Sequence, residues 1–262
     1  MDILINIKSI IVKYLIRYKL LPNKKELSYN NLTLSFSDEF DGRRLDTTKW
    51  MTHYYWGDSK SESEYRFYSH EAFKLDKSCL TINVENKLNK WPFKDGLTST
   101  NTDNITSGLI HTGEFFKQRY GRFEVRCQVP LTEGYIPAFW LIDPNSYPPE
   151  IDVMDFSEGK NNEVAIGYTF GDDNSPKHFH KVKKILKNLK LSQWNIYTLD
   201  WTPTCLIWYV NGYEVHRVSN IGIPQCPMYV ALNMAISNIN TNQKSPTSIN
   251  LKMDWIRVYK FS

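Results

Sequence analysis

The chain has 262 residues, a length that suits one large all-β domain and allows a substantial buried core. Its formal net charge of +4 comes from the N-terminus: residues 1–30 hold six of the 32 basic residues and two of the 28 acidic ones, leaving 26 of each sign in residues 31–262. A neutral main domain gives no support for nucleic-acid binding.

The first predicted element is an amphipathic helix within residues 1–21. At about 100° per residue, seven apolar side chains fall on one face: Ile3, Ile7, Ile10, Ile11, Tyr14, Tyr18 and Leu21. This face fits peripheral contact with an anionic membrane, and it equally fits packing on the main domain or on a partner chain. Lys13 and Arg17 interrupt the apolar run, so we expect neither a clear signal peptide nor a spanning helix, and the compartment stays unknown.

A polar run from Pro22 to Asn31 is predicted to be a linker. The sequence thus divides into an N-terminal extension of residues 1–30 and a main domain of residues 31–262.

The main domain has the pattern of short β-strands. Apolar residues from Phe123 to Val129 alternate with polar ones, as in a strand with one wet face. Asn211-Gly212 lies between two apolar runs and predicts a two-residue hairpin with a type I′ turn. Because no convincing helix interrupts these strands, the fold class is all-β, a β-sandwich.

An acidic stretch then suggests a function. On a regular strand Glu150 and Asp152 share one face, and Asp155 falls on the opposite face. A β-bulge at Val153-Met154 would return Asp155 to the face of the other two. Neighbouring carboxylates raise one another's pKa values, so one can be protonated while another is ionised, as glycoside hydrolysis requires. The spacing alone also fits a solvated acidic edge or a calcium loop.

The segment Glu150–Asp155 resembles the active-site strand of glycoside hydrolase family 16, the laminarinase and lichenase group, whose bulged motif is Glu-x-Asp-x-x-Glu. Other segments resemble family motifs in the family's order: 36–42, 45–50, 107–110, 120–126, 137–141, 200–203, 208–212 and 254–259. The resemblance covers nearly all of residues 31–262. It implies a concanavalin A-like jelly roll whose concave sheet carries a cleft.

The resemblance also implies an endo-acting hydrolase that cleaves a β-linked polysaccharide with retention, with a β-1,3- or mixed-linked glucan as the expected substrate. Glu150 would be the nucleophile and Asp155 the general acid and then base. Asp152 would hydrogen-bond Glu150. Asp155 stands where the family has Glu, which withdraws the carboxyl by about 1.5 Å, the length of one carbon–carbon bond.

Other positions depart from the family pattern: Thr169 stands for a His, Ser63 for an Asn and Ile136 for a Trp. Together with Asp155, these departures leave open a weakly active or inactive carbohydrate-binding protein. A transglycosylase that remodels a surface polysaccharide is a further alternative. Each of these proteins would bind a polysaccharide or an oligosaccharide.

For substrate binding, Trp140 of the Pro-Ala-Phe-Trp motif is expected to stack on a sugar ring. Trp56, Tyr135 and Tyr168 could do the same or could pack in the core, and Arg122 could reach substrate hydroxyls.

The resemblance implies no required cofactor. It allows one structural calcium ion, to which Glu39 and Asp254 match contributing positions, although the metal ligands themselves stay unknown. Members of the family are usually extracellular or periplasmic.

Overall fold

A computed structural model describes residues 23–53, 72–76, 78–86, 105–130, 132, 135–156, 163–171, 176–185, 189–236 and 248–262. The strands in these residues are β1 (Asn23–Glu26), β2 (Leu32–Asp38), β3 (Phe73–Leu75), β4 (Leu80–Asn86), β5 (Ile105–Thr106), β6 (Leu109–His111), β7 (Gly121–Gln128), β8 (Tyr135–Ile142), β9 (Glu150–Asp155), β10 (Glu163–Phe170), β11 (His178–Ile185), β12 (Asn195–Trp201), β13 (Cys205–Val210), β14 (Tyr213–Ser219), β15 (Tyr229–Ile236) and β16 (Ser248–Phe261).

These strands form two antiparallel sheets. The larger sheet has the order β1-β14-β13-β12-β7-β16-β4-β3, with β2 paired to β16 and β5 paired to β4. The smaller sheet has the order β11-β10-β9-β8-β15-β6. No α-helix occurs among the described residues. The predicted all-β sandwich is therefore confirmed.

The core lies between the sheets because each strand alternates its side chains. On β7, Phe123, Val125 and Cys127 point inward and are fully buried. On the smaller sheet, Phe139 and Leu141 of β8 face the same core. Residues between these positions face outward, so the smaller sheet presents alternate residues of β8, β9, β10 and β15 on its outer face.

The predicted hairpin joins β13 to β14. Asn211 and Gly212 both have positive φ angles, 50° and 79°. The type I′ turn is favoured here because asparagine and glycine tolerate this region of backbone space. The turn aligns Val210 with Tyr213.

The predicted linker segment pairs with the larger sheet and contacts its side chains. Strand β1 pairs with β14 at one edge of the larger sheet. Tyr29 donates a hydrogen bond to the buried Glu124 Oε1 at 3.0 Å and lies under the guanidinium of Arg122. The predicted helix in residues 1–21 lies outside the described residues. In the part of the chain that the structure describes, no helix has the length and apolarity needed to cross a bilayer.

Candidate active site

The acidic strand contains the predicted bulge. Strand β8 pairs Phe139 with Met154 and Trp140 with Asp152, so Val153 has no partner of its own. Strand β10 shows the same irregularity, pairing Ala165 with Asp155 and Gly167 with Asp152. The extra residue turns Glu150, Asp152 and Asp155 to one face, and all three line the same groove.

An indole from the opposite sheet braces this bulge. Trp208 of β13 is buried in the core, and its Nε1 donates a hydrogen bond of 2.8 Å to the backbone carbonyl of Asp152. A bulge disrupts the strand ladder locally and leaves backbone groups in need of partners. This hydrogen bond therefore ties the irregular part of β9 to the core.

The groove on the smaller sheet has a volume of about 600 Å³. Trp140 lines it beside the carboxylates, as predicted, and its Nε1 donates a hydrogen bond of 2.8 Å to Asn233 Oδ1. Ile136, which stands where the family has a Trp, also lines the groove. The indole of Trp140 is thus held in one orientation against the groove, as a stacking platform requires.

Charge is unevenly distributed among the carboxylates. Desolvation and the negative charge of Asp155 raise the pKa of Asp152 to about 7, and the ammonium of Lys181 opposes this rise. The raised pKa of Asp152 has the direction that the acidic stretch predicts for neighbouring carboxylates.

Lys181 is the feature that sequence reasoning missed. It lies on the edge strand β11, and its Nζ donates a hydrogen bond to Asp155 Oδ2. Desolvation lowers the pKa of Lys181, but the negative charges of Asp155, Asp152 and Glu150 outweigh it and raise the pKa above the ordinary lysine value. The sequence signal was weak, because Lys181 lies in a basic run that is typical of a solvated surface.

Tyr147 borders the groove next to Glu150. Burial and the negative charge of Glu150 raise the pKa of its hydroxyl, whereas a hydrogen bond with Thr169 lowers it. Thr169 pairs directly with Glu150 in the β9–β10 ladder. The threonine at the position of the family's histidine therefore supports Tyr147 at the Glu150 end of the groove.

Three of the predicted substrate-binding residues lie elsewhere. Tyr135 and Tyr168 are both buried in the core, 1% and 2% exposed, because they occupy the inward phase of β8 and β10. The hydroxyl of Tyr168 donates to the backbone carbonyl of Ile221. Neither tyrosine can stack on a ligand in the groove, so these two assignments are corrected to core packing.

Arg122 is corrected as well. It lies on β7 in the larger sheet and is 4% exposed. Its Nε and Nη2 donate to the two carboxylate oxygens of Asp200 at 2.6 and 2.8 Å, and its Nη1 donates to the Ser28 carbonyl at 2.8 Å. The polar phase of β7 faces away from the groove, so this guanidinium stabilises the opposite face of the sandwich. Trp56 lies outside the described residues.

The two carboxylates that match calcium positions are both in ion pairs. Glu39 accepts two hydrogen bonds of 2.8 Å from Arg257, and Asp254 forms an ion pair with Arg126. Within the described residues, no group of three or more His, Cys, Asp or Glu side chains could hold a metal ion. Both carboxylates already have cationic partners, so the structure gives the calcium ion no support.

The protein has two antiparallel sheets packed as a jelly-roll sandwich and an acidic groove on the smaller sheet. These features place it in the class of jelly-roll glycoside hydrolases. The chain belongs to the glycosyl hydrolases family 16, whose model matches residues 56–257. This range contains the carboxylate strand, its neighbours and most of the larger sheet.

Individual relatives agree with this membership. The endo-1,3-1,4-beta-glycanase ExsH of Rhizobium meliloti (strain 1021) is 26% identical over 243 residues, covering 87% of this chain and 52% of the relative. The glucan endo-1,3-beta-glucosidase A1 of Niallia circulans is 24% identical over 267 residues, covering 87% of this chain and 38% of the relative. The chain thus spans about half or less of these relatives' length.

A solved structure supports the fold. The laminarinase catalytic domain from Thermotoga maritima MSB8 superposes with a TM-score of 0.73, covering 88% of this chain and 99% of that one. The identity of 22% means that this likeness speaks for the jelly roll alone.

Proposed function

We propose that the protein is an endo-acting glycoside hydrolase that cleaves a β-linked glucan with retention of configuration. The observation that carries the proposal is the bulge in β9, which brings Glu150, Asp152 and Asp155 to one groove beside Trp140. A solvated acidic edge would need neither the bulge nor its hydrogen bond from Trp208.

In this mechanism Glu150 attacks the anomeric carbon, and Asp155 protonates the departing glycosidic oxygen. The glycosyl–enzyme ester is then hydrolysed by a water that Asp155 deprotonates. Asp152 lies between the two along the strand, and its pKa of about 7 supports a role in keeping Glu150 and Asp155 in different protonation states.

The substrate proposal rests on the relatives, whose names describe an endo-1,3-1,4-beta-glycanase and a glucan endo-1,3-beta-glucosidase. We therefore propose a β-1,3- or mixed-linked glucan. Trp140 would hold one sugar ring by contact between its indole and the axial C–H groups of the ring.

A panel of β-linked polysaccharides tests this function, with products followed by mass spectrometry and the anomeric configuration followed by proton NMR. We expect internal cleavage of a β-1,3- or mixed-linked glucan with retained configuration. Glu150→Gln should reduce the rate by on the order of a thousandfold or more, because the nucleophile is lost. Glu163→Gln is the matched control, since Glu163 pairs with Lys183 at the far end of β10.

A binding protein is the second candidate, favoured by the aspartate at position 155 and by the cation that covers it. Saturable binding of a glucan with no product after long incubation, in the wild type and in Glu150→Gln alike, would select binding and contradict hydrolysis.

A further inference from the structure

Lys181 makes a contact that its place in the sheet does not explain by itself. Strand β11, which carries Lys181, is separated from β9 by the whole of β10. Neighbouring strands are about 4.8 Å apart, so the side chain must cross about 10 Å to reach a residue on β9. Its Nζ nevertheless donates a hydrogen bond to Asp155 Oδ2.

The crossing depends on small residues in β10. Gly167 is paired with Lys181 on one side and with Asp152 on the other. Ala165, which is paired with Asp155, presents only a methyl group on the same face. A β-carbon at position 167 would lie 2.9 Å from the Lys181 Cα and closer still to the His180 carbonyl oxygen. The glycine thus allows β11 to approach closely and leaves the path over β10 clear.

The contact involves one particular oxygen of Asp155. Oδ1 is buried and has no hydrogen-bond partner among the described residues. Since Asp155 is 8% exposed and lines the groove, Oδ2 is the oxygen that a substrate can reach, and Lys181 binds it. Lys181 itself stays accessible, with 44% of its side chain exposed.

We propose that Lys181 is a positioning residue for Asp155: its ammonium crosses the gap at Gly167 and holds the groove-facing oxygen of this short carboxylate toward the scissile bond. An aspartate in the place of glutamate starts farther from the substrate, and a fixed orientation is what such a side chain needs. The inference rests on the proposed acid/base role of Asp155.

The charges around Asp155 give this contact a measurable consequence. Among the described residues, the titratable groups around Asp155 are Glu150 and Asp152 from β9, Lys181 from β11, and Asp143 and Tyr147 from the loop between β8 and β9. The ion pair of Lys183 with Glu163 lies on the same face of β11 and β10. The residues paired with Asp155 on β8 and β10 are Ala138 and Ala165, which do not titrate. Removing Lys181 therefore removes the cation that opposes the rise in the pKa of Asp152, so the pKa of Asp152 should rise further.

The first test is the pH dependence of kcat/KM on the glucan. We expect Lys181→Met to lower the maximum by about a hundredfold through misplacement of Asp155 and to move the alkaline limb upward by about one to three pH units. Lys181→Arg should restore most of both. Lys183→Met is the control, because Lys183 is on the same face of β11 and pairs with Glu163. An unchanged alkaline limb in Lys181→Met would overturn the proposal.

Leaving-group dependence separates positioning of the acid from general damage. A 2,4-dinitrophenyl β-glycoside needs no protonation of its leaving group. Its kcat/KM should fall by less than about twofold in Lys181→Met while that of the glucan falls about a hundredfold. Equal losses on the two substrates would contradict the role.

A double-mutant cycle with Lys181→Met and Asp155→Asn, measured by Tm, tests the contact between the two residues without an activity assay. Non-additive Tm changes support the contact, and additive changes overturn it. If the wild type cleaves no glucan, the proposed function fails while the cycle still reports on Lys181.

Discussion

Asp155 is the residue on which the proposed mechanism depends most. It is one methylene shorter than the family's glutamate. One of its oxygens is buried with no hydrogen-bond partner in the described part of the chain, and the other is bound by Lys181. In the proposed mechanism this carboxyl must reach a glycosidic oxygen, yet its side chain is short and Lys181 binds one of its oxygens. Both conditions affect the distance to the substrate, and a displacement of about 1 Å can cost about a hundredfold in rate.

We predict that Asp155→Glu increases hydrolysis of the glucan by about tenfold to a hundredfold. The added methylene carries the carboxyl about 1.5 Å farther into the groove and keeps it within reach of Lys181. Initial rates of product formation from the wild type and the variant, measured at several pH values, test this. If the wild type hydrolyses the glucan rapidly and the variant is no faster, the backbone already places Asp155 correctly.

The position of a residue was predicted correctly where strand alternation and the family motif indicated the same face of a sheet. Trp140 lies on the outward phase of β8, and its motif also assigned it to the groove. Tyr135 and Tyr168 are on the inward phase, which the alternation of their own strands could have indicated. Arg122 is on an outward phase, but of the wrong sheet, and only sheet order could have excluded it. Predicting the contact of Lys181 with Asp155 would have required both the register of β11 and the knowledge that Gly167 lies between them without a side chain.

At the scale of elements, β10 acts as a spacer between the carboxylate strand and the edge strand. Its outward-facing residues Ala165, Gly167 and Thr169 are paired with Asp155, Asp152 and Glu150 in turn. Ala165 and Gly167 have small side chains or none, which leaves the path from Lys181 to Asp155 clear. Such a set of residues carries no recognisable motif, so the sequence alone gave no reason to single out Gly167.

We predict that Gly167→Ala destabilises the protein by about 1–3 kcal/mol and reduces glucan hydrolysis as strongly as Lys181→Met. The new β-carbon would force β11 away from β10 and draw Lys181 from Asp155. Thermal unfolding and initial rates measure the two effects.

The comparison for this variant is Gly212→Ala in the β13–β14 hairpin. That site has open space around it, but its φ of 79° strains any alanine. We expect a loss of about 1–2 kcal/mol with activity retained. If Gly167→Ala loses stability alone and keeps its rate, the spacer role of β10 is wrong.

At the scale of the whole molecule, the clustering of carboxylates on one face of the sandwich lowers its stability. Burial and the charge of Asp155 raise the pKa of Asp152 from 3.8 to about 7. Between these values the folded protein keeps a proton that the unfolded chain has lost. The contribution of this carboxyl to stability is thus fully present below about pH 4 and is lost as the pH rises through about 7.

We predict that Asp152→Asn raises Tm by an amount that grows as the pH increases from 4 to 8. The amide resembles the protonated acid and cannot become charged, and each kcal/mol relieved should add about 2–4 °C. Asp46 gives the control of opposite sign, because hydrogen bonds from Thr48 lower its pKa. Asp46→Asn should lower Tm near pH 7. A Tm gain in Asp152→Asn that stays constant with pH would contradict the assignment.

The overall architecture was predictable because strand alternation, turn residues and motif order all indicate one sandwich. The N-terminal segment was less predictable. A polar run after Pro22 indicated a linker, yet Ser28 and Tyr29 contact Arg122 and Glu124 on the larger sheet. The contact pairs a short segment with buried charges about 95 residues away along the chain, which local composition does not encode.

Because Val153 is the extra residue of the bulge, the number of residues between Asp152 and Asp155 decides which face of the sheet Asp155 occupies. Deleting that single residue would leave the composition of β9 almost unchanged, yet it would rotate Asp155 by half a turn into the hydrophobic interior. Mutant libraries in this strand should therefore vary identity while holding length constant. Alignments of related chains across this stretch should weigh a one-residue gap more heavily than several substitutions.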